Sequence, residues 1–332
     1  MNHEEHEEPN YMRETKLFFV SFVFFVVPSL PAQAQYPTRT VTIVVPFTPA
    51  TGADVIARLL QPRLAERLKV AVVVENKVGA SGAIGTETVA KSPPDGYTLL
   101  FTATAHGTVP ALKRNLPYDA AKSFTPVALA ATSTLALLVG PQVPATKMSD
   151  FIALAKKSPG TLYYSSPGNG SPQHLTMELV KLETGIDVVH VPYKGSAGAA
   201  SDLAGGHVQA TVAALQTMAP FVTSGRLRML AVLSSERNGA FPDVPTMKEL
   251  GHPKLVVDTW YGVYAPAGTP PEVVARLNAE FNALLRLPDV RDALARQGLA
   301  AVVDRPERLG ELVGEELERW SRVVASAHIT GE

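Results

Sequence analysis

The chain has 332 residues and no cysteine. That absence excludes disulfides, cysteine-ligated zinc, iron–sulfur clusters and thiol catalysis. It leaves the compartment open, because an exported protein can also lack cysteine. Charge is sparse, at 18% of residues, and balanced: 30 Lys+Arg against 31 Asp+Glu give a formal net charge of −1. No Lys/Arg-rich run tracks phosphates, so nucleic acid is not an expected partner. The P-loop ending Gly-Lys-Ser/Thr is missing, as is any H-E-x-x-H spacing beyond the first 34 residues. The segment Gly79-Ala80-Ser81-Gly82-Ala83-Ile84-Gly85 lies between a strand and a helix. It lacks both the G-x-G-x-x-G spacing and an acid placed for a ribose. Gly170-Ser171-Pro172 fails the flanks of a G-x-S-x-G nucleophile elbow. No base, nucleophile and orienting acid fall at recognisable spacing, so no catalytic residue, metal or cofactor is expected.

What is present points to an exported globular protein. A hydrophobic fraction of 46% supports a packed core, and the length favours two domains over one. Leu17–Val27 reads LFFVSFVFFVV, with Arg13 and Lys16 before it and Pro28, Ser29 and Pro31 after it. Ala32-Gln33-Ala34 then supplies an A-x-A cleavage pattern, the layout of a secretory signal peptide spanning 1–34. The run is shorter than the ~20 apolar residues of a membrane span. Residues 1–11 are acidic where a signal peptide is basic, so Met12 reads as the better start. His3-Glu4-Glu5-His6 falls in that stretch and is not read as a metal site. Cleavage after Ala34 removes two basic and five acidic residues, leaving 28 against 26, near +2. No later stretch is apolar enough to span a bilayer, and a lipobox cysteine is missing.

The remainder alternates strand-like and helix-like segments. Thr40–Pro46 is a β-branched run, Asp54–Leu68 carries an apolar helical stripe, and Val70–Glu75 is again strand-like. Ile84–Lys91 reads as helix and Tyr97–Thr102 as strand. The same alternation recurs over Phe151–Leu233, and the C-terminal part is helical over Pro271–Leu285, Val290–Gln297 and Glu307–Ala327. This predicts an α/β fold with parallel sheets covered by helices. Two extended segments, Val127–Gly140 and Leu255–Ala265, are expected to cross between two units. The first lobe would comprise 36–134 plus 260–332 and the second 135–259, a clamshell with a two-strand hinge. Its ligand cleft would lie outside the carboxyl ends of the strands.

Loops that follow strands hold the candidate site residues. The first contains Phe47, Thr48, Thr51, Gly52, Ala53 and Asp54 ahead of a helix. A helix start offers unpaired N–H groups to an anion, although Thr51 or Asp54 could equally serve as an ordinary cap. The second runs from Ser165 to His174 and contains Ser166, Asn169, Gly170 and Ser171. It carries more polar donors than a turn needs. Ser171 fits an N-cap, and His174 fits a structural histidine as well as a ligand group. The third holds Tyr193, Lys194 and Gly195, with Lys194 equally readable as solvated. The fourth, Thr102–Thr108, follows the third strand and includes Ala103, Thr104 and His106.

Several motifs occur in a fixed order: TVTIVVPF, VVVEN at Val72–Asn76, Pro94-Asp95-Gly96-Tyr97-Thr98-Leu99-Leu100 and Gly168-Asn169-Gly170-Ser171. His190-Val191-Pro192-Tyr193-Lys194-Gly195, Phe241-Pro242-Asp243-Val244-Pro245-Thr246 and Trp260-Tyr261-Gly262 follow. Over residues 36–328 the chain resembles the substrate-binding proteins of tripartite tricarboxylate transporters, the Bug-type periplasmic receptors. The resemblance implies a two-lobed periplasmic-binding fold of type II-like form that closes on a small carboxylate. It implies a monomer that delivers its ligand to integral-membrane transporter subunits. Two opposed loops would hold the carboxylate through backbone and hydroxyl groups, and they match Phe47–Asp54 and Ser165–His174. The VPYKG segment and the 102–108 loop would complete the wall. Two departures stand out. Ala50-Thr51 replaces a glycine pair of the family's first loop, narrowing the entrance or adding a hydroxyl. Ala213 lies where many relatives place an aspartate, which disfavours an amino-acid ligand and favours an apolar or aromatic acid. Two other readings are a ligand-presenting component of a sensory system and, less supported, a hydrolase using Ser171 and His174.

Overall fold

The computed structural model describes Met1 and residues 36–49, 51–113 and 115–329. The signal peptide with its cleavage site, the Met12 start, the His3–His6 stretch and Ala50 lie outside the described residues.

From Tyr36 onward the chain first builds β1 (Val41–Val45), α1 (Gly52–Leu68), β2 (Val72–Asn76), α2 (Ala83–Ala90) and β3 (Thr98–Ala103). β1 is a β-branched run buried at four of its five positions, as a strand covered on both faces requires. On α1 the buried residues Ile56, Leu60, Leu64 and Leu68 recur at helical spacing against that sheet. Each fully buried aliphatic side chain contributes about 1.5–3 kcal/mol. Next comes α3 (Ala105–Leu112), in a segment read from sequence as loop over 102–108. Gly107 and Pro110 conceal this helix from propensity; tertiary packing holds it.

β4 (Phe124–Val139) is followed by α4 (Met148–Lys157), β5 (Tyr163–Ser166), α5 (Pro172–Thr184), β6 (Val189–Pro192) and α6 (Ser196–Gly205). Then come β7 (Ala210–Ala214), α7 (Leu215–Thr223) and β8 (Arg228–Val232). The chain returns through β9 (Asp258–Pro266) and ends in α8 (Pro271–Leu285), α9 (Pro288–Ala295), β10 (Ala300–Ala301) and α10 (Glu307–Ser326).

The strand order is β2-β1-β3-β9-β4-β7-β5-β6, with β8 and β10 pairing on β4. The same pattern occurs twice. β1 is parallel to β2 and β3, and β9 closes that set antiparallel to β3. β5 is parallel to β6 and β7, and β4 closes that set antiparallel to β7. In each half, the antiparallel strand belongs to the chain as it passes between halves. β4 itself changes partner midway: Phe124–Thr134 pairs β9, and Leu135–Val139 pairs β7.

Each half has its own core. One gathers Ile43, Leu60, Phe101, Leu277 and Phe281. The other gathers Leu137, Phe151, Tyr164, Leu179 and Leu230. α10 reaches both: Leu309 and Val313 pack with Trp260 and Tyr264, whereas Trp320 and Val323 join the second core.

Candidate functional site

A cleft of about 500 Å³ opens between the two halves, within the size range of small-ligand sites. One wall comes from Phe47, Thr48 and Thr51, another from Val78, Gly79, Ser81 and Gly82. Ala105, Thr108, Val109 and Leu112 of α3 form a third, and Pro167–Pro172 the side opposite. Among the described residues no Lys, Arg, Asp, Glu or His lines it. Their polar groups are hydroxyls, an amide and main chain; the other described lining is apolar.

Helix starts supply the electrostatics. α1, α2, α3 and α5 all begin at residues that line the cleft or directly follow them. Each start carries unpaired N–H groups and a partial positive charge. A pocket ringed by such ends can hold an anion through main-chain donors. The turn before α2 adds main-chain geometry of its own. Ala80 and Ser81 take positive φ of 49° and 60° between Gly79 and Gly82. This left-handed turn brings Ser81 and Gly82 to the cleft wall.

Both cleft loops are braced from behind. Asp54 is buried; its Oδ1 accepts from Arg58 Nε at 3.0 Å and from Asn76 Nδ2 at 2.8 Å. Asn76 Nδ2 also donates to the Phe47 carbonyl at 3.0 Å, tying the first loop to β2. Thr51 faces the cleft, but its hydroxyl donates to the Thr48 carbonyl at 2.9 Å and does not cap α1. On the opposite side Ser171 is the N-cap of α5, accepting from His174 N at 3.3 Å. Gly170 takes a left-handed φ of 71°, and a Cβ there would stand 2.7 Å from Leu112 Cδ1. The second loop therefore closely approaches α3.

The structure brings Phe47, Thr48, Thr51, Asn169, Gly170 and Ser171 into one cleft. The other expected site residues lie around or away from it. Gly52 leaves the space that the Tyr261 ring fills, and Ala53 is part of the first core. Thr104 Oγ1 accepts from Trp260 N at 2.9 Å, adjoining Ala103 at the end of β3. His106 is buried, stacked on Tyr264, with Nε2 2.9 Å from the Ala120 carbonyl; burial pushes its pKa down to about 4. Tyr193 donates its hydroxyl to Asp202 at 2.6 Å. Burial, with that carboxylate adding to it, pushes the phenol up to about 12. Lys194 is exposed and Gly195 half-buried. Ala213 borders a separate recess of about 10 Å³, room for roughly one water. Ser166 and His174 are buried behind the second loop.

Two walls escaped the sequence reading. From sequence the Gly79–Gly82 turn reads only as a dinucleotide-like loop with the wrong spacing; its run of small residues is the available signal. Val109 and Leu112 lie on α3, which has no apolar stripe long enough to announce it.

A double-wound α/β molecule whose chain crosses twice between halves, with helix starts ringing the cleft between them, is a two-lobed solute-binding protein of the periplasmic-binding fold. Residues 56–329 match the model of the tripartite tricarboxylate transporter family receptor, and the chain belongs to that family. It is 37% identical over 318 residues to Protein BugT of Bordetella pertussis, spanning 94% of this chain and 98% of that one. A solved TctC solute-binding protein from Polaromonas is 31% identical, covers 88% of this chain and 99% of its own, and superposes with a TM-score of 0.80. An R. palustris protein solved with adipate is 36% identical, covers 90% of this chain and 100% of its own, and gives 0.73.

Proposed function

We propose that the protein is an exported receptor that captures a small carboxylate between its lobes, 36–134 plus 260–332 and 135–259, and hands it to membrane transporter subunits. It acts without chemical turnover and as a monomer, in the periplasm after cleavage behind Ala34. The observation that carries this reading is the convergence of four helix N-termini on a cleft with no charged side chain among its described residues. Phe47, Thr48, Thr51, Asn169, Gly170 and Ser171 meet the ligand, and the adipate-bound relative supports the carboxylate class. Micromolar affinity needs about −8.2 kcal/mol, and each helix end gives only about 0.3–2 kcal/mol. The apolar walls of Phe47, Val78, Val109 and Leu112 must therefore bury the ligand's body. Among the described residues no helix is long and apolar enough to cross a membrane.

A thermal-shift screen of the purified protein tests this. Adipate, succinate, citrate, glutamate, glutarate and benzoate form the panel. A ligand at 1,000 times its Kd adds about 4 kcal/mol of stability and raises Tm. The expected outcome is a selective shift with an unconsumed acid. No shift after refolding to strip bound ligand counts against the carboxylate reading, and consumption of the acid counts against a receptor. Among the described residues no acidic side chain lines the cleft to pair an ammonium. Glutarate is therefore expected to bind more tightly than glutamate, and the reverse order in calorimetry would remove the apolar-acid preference.

A further inference from the structure

We infer that His174 and His190 are paired positioning residues that hold the Ser166–Ser171 loop in its ligand-receiving shape from behind. Neither lines the cleft, yet each is hydrogen-bonded to one end of the loop. The Gly170 N–H donates to His174 Nδ1 at 3.0 Å, and His190 Nε2 lies 2.7 Å from Ser166 Oγ. Ser166 Oγ also accepts from Gly168 N at 3.2 Å, so the imidazole reaches the turn itself. The two rings stack at 3.8 Å with 9° between planes, locking one bond to the other. The inference rests on the cleft being the ligand site and leaves the ligand's identity open.

The geometry fixes the protonation that works. Gly170 needs a lone pair on His174 Nδ1, so that ring must be neutral with its proton on Nε2. A second proton on His174 sets N–H against N–H and breaks the bond. His190 tolerates a proton on Nε2, which can donate to Ser166 Oγ, but two cations 3.8 Å apart repel. The groups that act on the pair come from β5 and α5: Tyr164 of β5 stacks on both rings, and α5 contributes Glu178 and Lys181. Lys181 Nζ pairs with Glu178 Oε1 at 2.9 Å, and Tyr164 donates to the same oxygen at 2.6 Å. Burial, with Lys181 adding to it, pushes His174 down to about 4. Burial and then the His174 charge push His190 down to about 4, with Glu178 opposing. The pair is thus neutral near pH 7 and the loop is set before ligand arrives, which lowers the ordering cost of binding. Acid below about 4 releases Gly170.

The test is NMR of the 15N-labelled purified protein, first without ligand. Ring nitrogen shifts should show His174 Nδ1 bare at pH 7, and the Gly170 amide shift should follow His174 protonation with a midpoint well below 6.5. His174→Leu should speed Gly170 amide exchange at pH 6 at least tenfold. His174→Asn, whose amide oxygen accepts from the same N–H, should restore protection to within threefold and abolish the pH step. Unchanged exchange in His174→Leu, or a pH step that persists in His174→Asn, overturns the inference. If His174→Leu does not fold, the His174→Asn titration decides. Adipate is then the probe. At pH 7 His174→Leu should weaken it more than tenfold and His174→Asn less than threefold. In acid the wild type should lose more affinity than His174→Asn, the loss common to both being adipate's own protonation. A loosened loop with wild-type affinity overturns the positioning role. Failure of every carboxylate to bind overturns the ligand reading instead, and the ligand-free titration still decides the histidine pair.

Discussion

Single buried polar residues carry much of the specificity of this fold. Glu316 of α10 is 1% exposed and accepts from Trp260 Nε1 at 2.9 Å. Burial raises its pKa to about 8, against the lowering by that indole and by Arg319. The folded protein thus keeps a proton that the unfolded chain releases in the ordinary glutamate range. The contribution is fully present below that range and is lost as pH rises towards 8, at up to about 1.4 kcal/mol per pH unit. Glu316→Gln keeps an acceptor for Trp260 and removes the titration. Its stability, from urea unfolding at pH 5, 6.5 and 8, should therefore exceed the wild type at pH 8 and depend less on pH. A parallel pH slope in both proteins would contradict this. Across from it, a Cβ on Gly107 would collide with Glu316 Oε2. Gly107→Ala is expected to cost about 1–3 kcal/mol by overpacking in the same assay.

At the scale of elements, the cleft is an arrangement of helix beginnings, and α5 tests the principle most sharply. Ser171 is at once its N-cap and part of the cleft wall. Ser171→Ala should cost about 1 kcal/mol of stability through loss of the cap. Ser171→Asp keeps a good cap, so stability should hold, but it places a carboxylate in the cleft wall where the carboxylate ligand is proposed to sit. Adipate affinity in calorimetry should then fall at least tenfold. Retained affinity in a stable Ser171→Asp protein would mean that the anion binds elsewhere. The start of α5 was legible because Ser171-Pro172 is a local signal for a cap and first turn. Strands such as β1 and the stripe of α1 were legible for the same local reason. α3 was not: Gly107 and Pro110 argue against it, and α10, almost two hundred residues away in sequence, holds it. The bracing roles of Asp54 and His174 were equally hidden. Their partners Asn76 and Gly170 are defined by folding; residue type alone offered a cap or a ligand group.

At the scale of the molecule, β4 and β9 link the halves, and β4 passes from one sheet to the other between Thr134 and Leu135. A bend there rotates one half-sheet against the other while leaving each parallel set intact. α10 would have to accommodate such a bend, because its two ends pack on different cores. β9 begins at Asp258 opposite Thr134, so the chain returns to the first half beside the point where β4 changes sheet. Ligand can favour the closed form only through contacts made with both walls at once. Phe47 and Thr51 on one side and Asn169 and Ser171 on the other line the cleft from its two walls. The absence of native cysteine makes the motion measurable by pairwise spin labelling. Val73→Cys and Leu182→Cys place labels on exposed positions of the two halves. Saturating a bound carboxylate should shorten and narrow the distance distribution. Ser171→Asp should leave it at the ligand-free value under the same conditions. A distribution unmoved by a carboxylate that calorimetry shows to be bound would mean that the cleft takes its ligand without closing.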